Sequence, residues 1–324
     1  MLVCLVLVQC NLLMAQYTQI NEQDIRIIAN RYRININDFT PIEAGEANSS
    51  FLLDSDEKRY ILTICDGKSL SEVDKLAKVL IQLANHGYLT SRVCFTADGT
   101  PVTKLDGKPA MLKTWLPGTT LRDQEQGDYR PIGQAIARLH NIPVPDGLPD
   151  DLPYGLARMS NAIGKGIDCE YEQWLVHKIN HISETLPVGL PKGFIHGDLF
   201  ADNILYQQGE SVAIIDFEDA CNYYLAYDLG SALFGSCIKD RKLDFKRSRD
   251  LINGYIGIRQ LSEQEWCSIQ FFAVYAGAAI SAWHYLAHNV YHPDSKKSTK
   301  HALSVQVTEY ISNIPKDEFL QMLE

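Results

Sequence analysis

Apolar positions along this chain follow two periods, and the change from one to the other divides it. Phe51-Leu52-Leu53 and Arg59-Tyr60-Ile61-Leu62-Thr63-Ile64 flank the polar turn Asp54-Ser55-Asp56-Glu57, which predicts two paired strands. Arg92-Val93-Cys94-Phe95, Pro101-Val102-Thr103 and Ala110-Met111-Leu112-Lys113-Thr114 continue as strand candidates, with Asp98-Gly99 and Asp106-Gly107 as turns between them. One helix interrupts this run: Ser69-Leu70-Ser71-Glu72 has the spacing of a capping box, and Val73, Leu76, Leu80 and Leu83 follow at helical period before a stop at Gly87. Past Trp115-Leu116-Pro117-Gly118 the period becomes helical. Ile132, Ile136 and Leu139 make one apolar face ending at His140, and residues 171–182, 227–238, 251–258 and 263–289 predict further helices. Ile204 to Tyr206 and Val212 to Ile215, separated by Gln207-Gln208-Gly209-Glu210, predict a β-hairpin among them. The pattern is strand and helix first, then mostly helix, and 324 residues suffice for two lobes with a core each.

Composition narrows the function classes. A formal net charge of −10 excludes an extended nucleic-acid surface, which needs a positive field. The short run Lys296-Lys297-Ser298-Thr299-Lys300 reads as a solvated loop. Eight scattered cysteines without a C-x-x-C pair point to reduced thiols in cytoplasm rather than to a disulfide framework or a zinc site. Met1 to Met14 is apolar like a signal-peptide core, but no Lys or Arg precedes it, so a start at Met14 is the preferred reading. Phe271 to Ala287 is uncharged apart from His284, and its Ala276-Gly277-Ala278 suits close packing in a buried helix; no membrane partner is expected. His284, His288 and His292, like His177 and His181, share a helical face, yet no H-E-x-x-H motif accompanies them and no transition metal is assigned.

The chemistry concentrates around the hairpin. In an antiparallel hairpin the residue entering the first strand and the residue leaving the second lie at one end, so Asn203 and Asp216 are expected side by side, with Asp198 just upstream. An amide oxygen and a carboxylate there are hard oxygen ligands of the kind Mg²⁺ takes, with water and nucleotide phosphates completing its shell. Asp198 precedes Asn203 by five positions, the kinase spacing in which the Asp receives the acceptor hydroxyl proton while the Asn and a later Asp hold metal. His196 is expected to orient the loop.

Phe194-Ile195-His196-Gly197-Asp198-Leu199-Phe200-Ala201-Asp202-Asn203-Ile204-Leu205, followed by Ile215-Asp216-Phe217, resembles the aminoglycoside phosphotransferase and choline kinase superfamily, with its H-G-D-x-x-x-x-N loop and I-D-F. Within it, Asp216-Phe217-Glu218-Asp219-Ala220-Cys221-Asn222 and the later Tyr227-Asp228-Leu229 look most like homoserine kinases. The resemblance implies an α+β, bilobal, protein-kinase-like fold: a leader or mis-assigned start over residues 1–19, a small antiparallel-sheet nucleotide lobe over residues 20–115, and a mostly helical catalytic and acceptor lobe over residues 116–324. It implies ATP and Mg²⁺, a small-molecule hydroxyl acceptor such as homoserine, choline, ethanolamine, an aminoglycoside or a sugar, and a buried Asp228 bonded to the catalytic-loop backbone; Asp228 as the cap of its own helix is the alternative. Gly45, Asn48, Ser49 and Ser50, in a small-residue loop before the first strand, are the phosphate-binding candidates, and Lys113 and Trp115 the adenine contacts. Thr63 stands where many relatives carry a phosphate-binding lysine, a feature shared with the resembled homoserine kinases; a regulator that binds ATP without turnover is the alternative. Glu72 reads as a helix cap rather than the partner of that lysine, and Glu218 and Asp219 as acids for an acceptor ammonium.

Overall fold

The alternating first part of the chain closes into a five-stranded antiparallel sheet in the order β1-β2-β3-β5-β4. The computed structural model describes residues 18–42, 48–123, 127–207 and 211–324. The Met1 to Met14 run, Gly45, and the hairpin tip at residues 208–210 therefore lie outside the described residues. Two units are present: residues 1–81 with 91–116, and residues 82–90 with 117–324.

In the first unit, helix α1 (Glu22–Tyr32) precedes β1 (Asp38–Ile42), β2 (Ser49–Asp54) and β3 (Arg59–Ile64); helix α2 (Leu70–Asn85), β4 (Thr103–Leu105) and β5 (Lys108–Thr114) follow. The β2–β3 and β3–β5 pairings put Leu62 opposite both Phe51 and Leu112. Phe51, Leu53, Leu62, Ile64 and Leu112 then form one core with Ile25, Ile28 and Tyr32 of α1. Helix α1 is additional to the elements that the apolar pattern predicts, and Asn21 caps it through a complete capping box with Asp24. The Ser69 and Glu72 box does form at α2, with the Glu72 carboxylate accepting from the Ser69 N–H at 2.7 Å and its hydroxyl at 2.6 Å. Two strand expectations shift. Arg92–Phe95 contributes a single bridge, Val93 to Lys113, before the Thr96–Thr100 turn carries it away from β5. Strand β4 starts only at Thr103, because the two-residue turn Asp106-Gly107, both at positive φ, fixes Leu105 opposite Lys108.

The second unit is built on helices. Strand β6 (Thr119–Thr120), helix α3 (Arg130–His140), the single turn α4 (Leu156–Met159) and α5 (Cys169–Thr185) lead to β7 (Lys192–Ile195). The hairpin β8 (Ile204–Tyr206) and β9 (Val212–Ile214) follows, then β10 (Cys221–Tyr224), α6 (Leu225–Ser236), α7 (Phe245–Ile256), α8 (Glu263–Tyr285), α9 (Lys300–Ser312) and α10 (Lys316–Leu323). Strand β7 pairs antiparallel with β10, and β8 lies between β6 and β9. Small residues let the helices cross closely. A Cβ on Gly277 of α8 would stand 2.5 Å from the Phe234 ring of α6 and 2.3 Å from the Thr308 hydroxyl of α9. By length and composition α8 with its extension to Tyr291 passes as a membrane span, but 67% of that apolar window is buried inside the unit.

Helices α3 and α7 meet through a reciprocal glycine contact: a Cβ on Gly133 would lie 1.8 Å from the Leu251 carbonyl oxygen, and one on Gly254 2.0 Å from that of Arg130. Gly133→Ala is therefore expected to push the helices apart and destabilise the protein by roughly 1–3 kcal/mol, read as a lower midpoint in thermal unfolding; an unchanged midpoint would contradict the contact. Acid should also destabilise the α8–α9 junction. Burial, with Lys300, His288 and His301 adding to it, pulls the His284 pKa from 6.5 down to about 3. The folded protein keeps this ring neutral while the unfolded chain protonates it, so stability is full above pH 6.5 and falls as pH drops toward 3. Urea midpoints measured between about pH 7 and pH 5 should fall less in His284→Gln than in the wild type.

Candidate active site

The site starts where β7 runs out. Ile195 ends the strand, and the next three residues, His196-Gly197-Asp198, turn the chain toward the hairpin. Gly197 has φ +83°, and a Cβ there would stand 2.6 Å from the Asp219 carbonyl oxygen, so both the conformation and the close approach demand glycine. The turn is held by a carboxylate from α6. Asp228, with no exposed surface, accepts from the N–H of His196 at 2.8 Å and of Gly197 at 2.9 Å. It sits in the helix's first turn but does not cap it. Behind it, His140 Nε2 lies 3.1 Å from the same carboxylate and its Nδ1 2.8 Å from the Tyr255 hydroxyl, to which Arg259 donates at 3.0 Å. Arg259 in turn pairs with Glu265 at 2.7 Å. With the proton of His140 on Nε2, each donor in this chain meets an acceptor.

His196 is a strut rather than a reacting group. The Asp198 N–H donates to its Nδ1 at 3.2 Å, which leaves the ring proton on Nε2, and Nε2–H donates to the Ile215 carbonyl at 2.9 Å. Its ring is fully buried against Phe217, centroid to centroid 4.7 Å. One imidazole thus ties the peptide of Asp198 to the peptide immediately before Asp216. The Ile215 N–H closes the same link from the other side by donating to the Asn203 carbonyl at 2.9 Å. Strands β8 and β9 pair Ile204 with Ile214, which brings Asn203 and Asp216 to one end of the hairpin.

Asn203 turns its amide nitrogen on Asp198, donating at 2.9 Å to the carbonyl and at 2.9 Å to Oδ2. The amide oxygen of Asn203 then faces away from that carboxylate. Burial pushes the Asp198 carboxyl up to about 6, against the pull of nearby His196 and the Asn203 hydrogen bond and with the charge of Asp216 adding to the rise. Asp216 is exposed and has φ +66°, a left-handed conformation that Asp tolerates better than most side chains. The Asn203 amide oxygen and the Asp216 carboxylate are a fit for a hard divalent cation. Among the described residues no group of three or more His, Cys, Asp or Glu side chains forms a metal site of its own, so such a cation would need phosphate or water to complete its shell. Glu218 and Asp219, part-buried, follow directly, and Asp219 backs onto Gly197.

The first-unit candidates fare differently. Ser49 and Ser50 belong to β2 rather than to a loop. The Ser49 hydroxyl is buried and donates to the Asp66 carboxylate at 2.6 Å, which also holds Lys108 at 2.6 Å and the Thr18 hydroxyl, so Ser49 is committed to an internal network instead of a phosphate. That ring of donors holds the Asp66 carboxyl below its ordinary value despite its burial. Asn48 sits at the bend before β2. Thr63 is buried, opposite Ser50 and Met111, and its hydroxyl has no hydrogen-bond partner among the described residues. Lys113 pairs with Ile61 in the sheet. The Trp115 N–H donates to the Arg59 carbonyl at 3.1 Å and its ring lies under the Arg59 guanidinium, centroid distance 5.3 Å.

Several supporting residues escaped the motif. Ser231 accepts from the Leu199 N–H at 3.2 Å, Ser236 donates to the Leu199 carbonyl at 3.1 Å, and Gly235 allows Phe200 against the helix. The signal was available as the small and polar residues Asp228, Ser231, Gly235 and Ser236 in an otherwise apolar helix.

Comparison with known proteins matches residues 38–258 to the phosphotransferase enzyme family. A homoserine kinase of Phenylobacterium zucineum is 29% identical over 285 residues, covering 82% of this chain and 85% of the relative. Among solved structures, a microcompartment-associated aminopropanol kinase superposes with a TM-score of 0.73 at 17% identity, over 93% of this chain and all of its own. An amicoumacin kinase in complex with AMP-PNP and Ca²⁺ superposes with a TM-score of 0.74 at 15% identity, over 93% of this chain and 97% of its own. The match spans well over half of the sequence and includes the whole His196 to Asp228 constellation, so the chain belongs to the phosphotransferase enzyme family.

Proposed function

We propose that this chain transfers the γ-phosphoryl group of ATP, as its Mg²⁺ complex, to the side-chain hydroxyl of L-homoserine. The observation that carries this reading is the strut at His196, which joins the peptide of Asp198 to the peptide before Asp216 while Asn203 bonds the Asp198 carboxylate. A carboxylate for the hydroxyl and two oxygen ligands for a cation are what phosphoryl transfer asks of a protein, since the rest is positioning and charge stabilisation. The similarity to homoserine kinases along most of the chain supports the acceptor, and a structural neighbour solved with AMP-PNP supports the nucleotide. Eight scattered cysteines without a C-x-x-C pair suit a reducing compartment, in keeping with a cytoplasmic metabolic enzyme.

In this reading Asp198 orients the acceptor hydroxyl and receives its proton, and its raised pKa suits a group that must take up and release that proton. Asn203 and Asp216 hold the metal. The cation, when bound, neutralises charge on the transferring phosphoryl oxygens. Glu218 and Asp219 meet the substrate ammonium. Asn48, Ser50, Lys113 and Trp115, with Gly45, are the proposed nucleotide contacts; Ser49, held by Asp66, is withdrawn from that set.

A screen of amino alcohols, hydroxy amino acids, choline and aminoglycosides, reading ADP release and product mass, tests the assignment, and faster turnover of choline or an aminoglycoside than of homoserine would overturn it. Asp198→Asn is expected to lower kcat by roughly two to four orders of magnitude with unchanged folding and nucleotide affinity. Asp216→Ala should instead weaken nucleotide binding in the presence of Mg²⁺ and leave metal-free binding alone. Asp228→Ala leaves the His196 and Gly197 N–H groups and His140 Nε2–H without their acceptor, so it should cost roughly 3–5 kcal/mol of stability. Calorimetry reads that loss, and a variant as stable as the wild type would contradict the role given to Asp228.

A further inference from the structure

The acid-rich end of the site leaves a charge problem. Asp216, Glu218 and Asp219 lie within one short stretch and His196 ties Asp198 to the peptide before Asp216, so a substrate carboxylate brought among them would be repelled unless a cation met it. Arg158 is such a cation. It lies on the α4 turn with its guanidinium 4.3 Å from the centre of the Tyr154 ring, and among the described residues it makes no ion pair. Its segment is fastened beside the site: Asn222, three residues after Asp219, donates through its backbone N–H to the Pro149 carbonyl and through its side chain to Asp150, both at 2.8 Å. On the other side the Tyr275 hydroxyl accepts from the Leu156 N–H at 3.1 Å. A narrow cleft lined by Tyr154, Arg158, Ala279, Ala282 and Trp283 runs along this segment. Burial raises the Tyr154 phenol well above its ordinary range, and the charges of Asp219, Asp198 and Glu218 raise it further while Arg158 opposes them. The phenol is therefore within electrostatic reach of both the acids and the arginine.

Resting on the phosphotransferase reading above, we propose that Arg158, steadied on the face of Tyr154, is the carboxylate-recognition residue of the acceptor site and makes the substrate class an α-amino acid bearing a hydroxyl, rather than an amino alcohol. The ammonium then meets Asp219 and Glu218, the hydroxyl meets Asp198, and the carboxylate pairs with Arg158. Arginine suits this role because its planar fork matches two carboxylate oxygens at once.

Steady-state kinetics on three acceptors test it: L-homoserine, L-homoserine amide, which keeps the shape without the charge, and 3-amino-1-propanol, which lacks the carboxylate. In the wild type the amide and the amino alcohol are expected to show KM values roughly 10- to 100-fold above that of homoserine. Arg158→Gln should raise the homoserine KM by the same factor, leave the KM of the other two and of ATP within about twofold, and change kcat less than KM; Arg158→Lys should recover part of the loss. A merely structural role for Arg158 would move all three acceptors together, and that result overturns the proposal while homoserine remains a substrate. Equal KM values for the three acceptors in the wild-type enzyme overturn it without any variant. Absence of turnover with homoserine would remove the proposed function itself, and Arg158 with it.

Discussion

A single carboxylate with no exposure to water, that of Asp228, organises this protein's His196-Gly197-Asp198 loop. Removing an ion from water costs several kcal/mol, and it persists only where donors replace the lost hydration. Asp228 obtains them from two consecutive loop N–H groups and from His140. The loop cannot leave without exposing that charge to an apolar interior, so the geometry of His196-Gly197-Asp198 is set by electrostatics rather than by the weak preferences of a three-residue turn. The Tyr255, Arg259 and Glu265 chain behind His140 extends the same constraint into α7 and α8, so helices distant in sequence share the task of holding the loop.

From that anchor the order passes outward. His196, fixed at its backbone by Asp228, fixes in turn the peptide of Asp198 and the carbonyl before Asp216. Asp216 sits at a positive φ, a conformation that costs a non-glycine residue about 1–3 kcal/mol and persists only where its surroundings dictate it. The hydrogen bonds on either side of Ile215 supply that dictation. Two exposed or part-exposed carboxylates are thereby aimed by a buried, hydrogen-bonded frame, which is the division of labour a phosphotransferase needs when its contribution is position and charge.

How much of this the sequence disclosed depends on the range of each interaction. The β8–β9 hairpin and the neighbourhood of Asn203 and Asp216 follow from local periodicity and turn chemistry, and both are present as read. The Ser69 and Glu72 box is equally local. Contacts between distant residues left weaker traces. His140 and Tyr255 are separated by 115 positions, and nothing near either names the other. Ser49 read as a phosphate ligand because serines after glycine often are; its partner Asp66 lies across β2 and β3, and only the fold brings them together. The role proposed for Arg158 belongs to the same class, since it depends on a tie between Asn222 and the 149–150 segment that no motif records. Helix α1, by contrast, is local: its cap and its apolar face are both carried by Asn21, Asp24, Ile25, Ile28 and Tyr32.

In the proposed reaction the loop held by Asp228 presents Asp198 to an alcohol, and the phosphoryl group goes to oxygen. Phosphorus NMR of a turnover mixture of the enzyme with Mg-ATP and L-homoserine examines the bond itself. Transfer to the side-chain oxygen produces a new phosphomonoester resonance, split by the two protons of the γ-methylene and growing in step with ADP. A resonance from a phosphorus–nitrogen bond, an acyl phosphate on the carboxylate, or inorganic phosphate alone would contradict it.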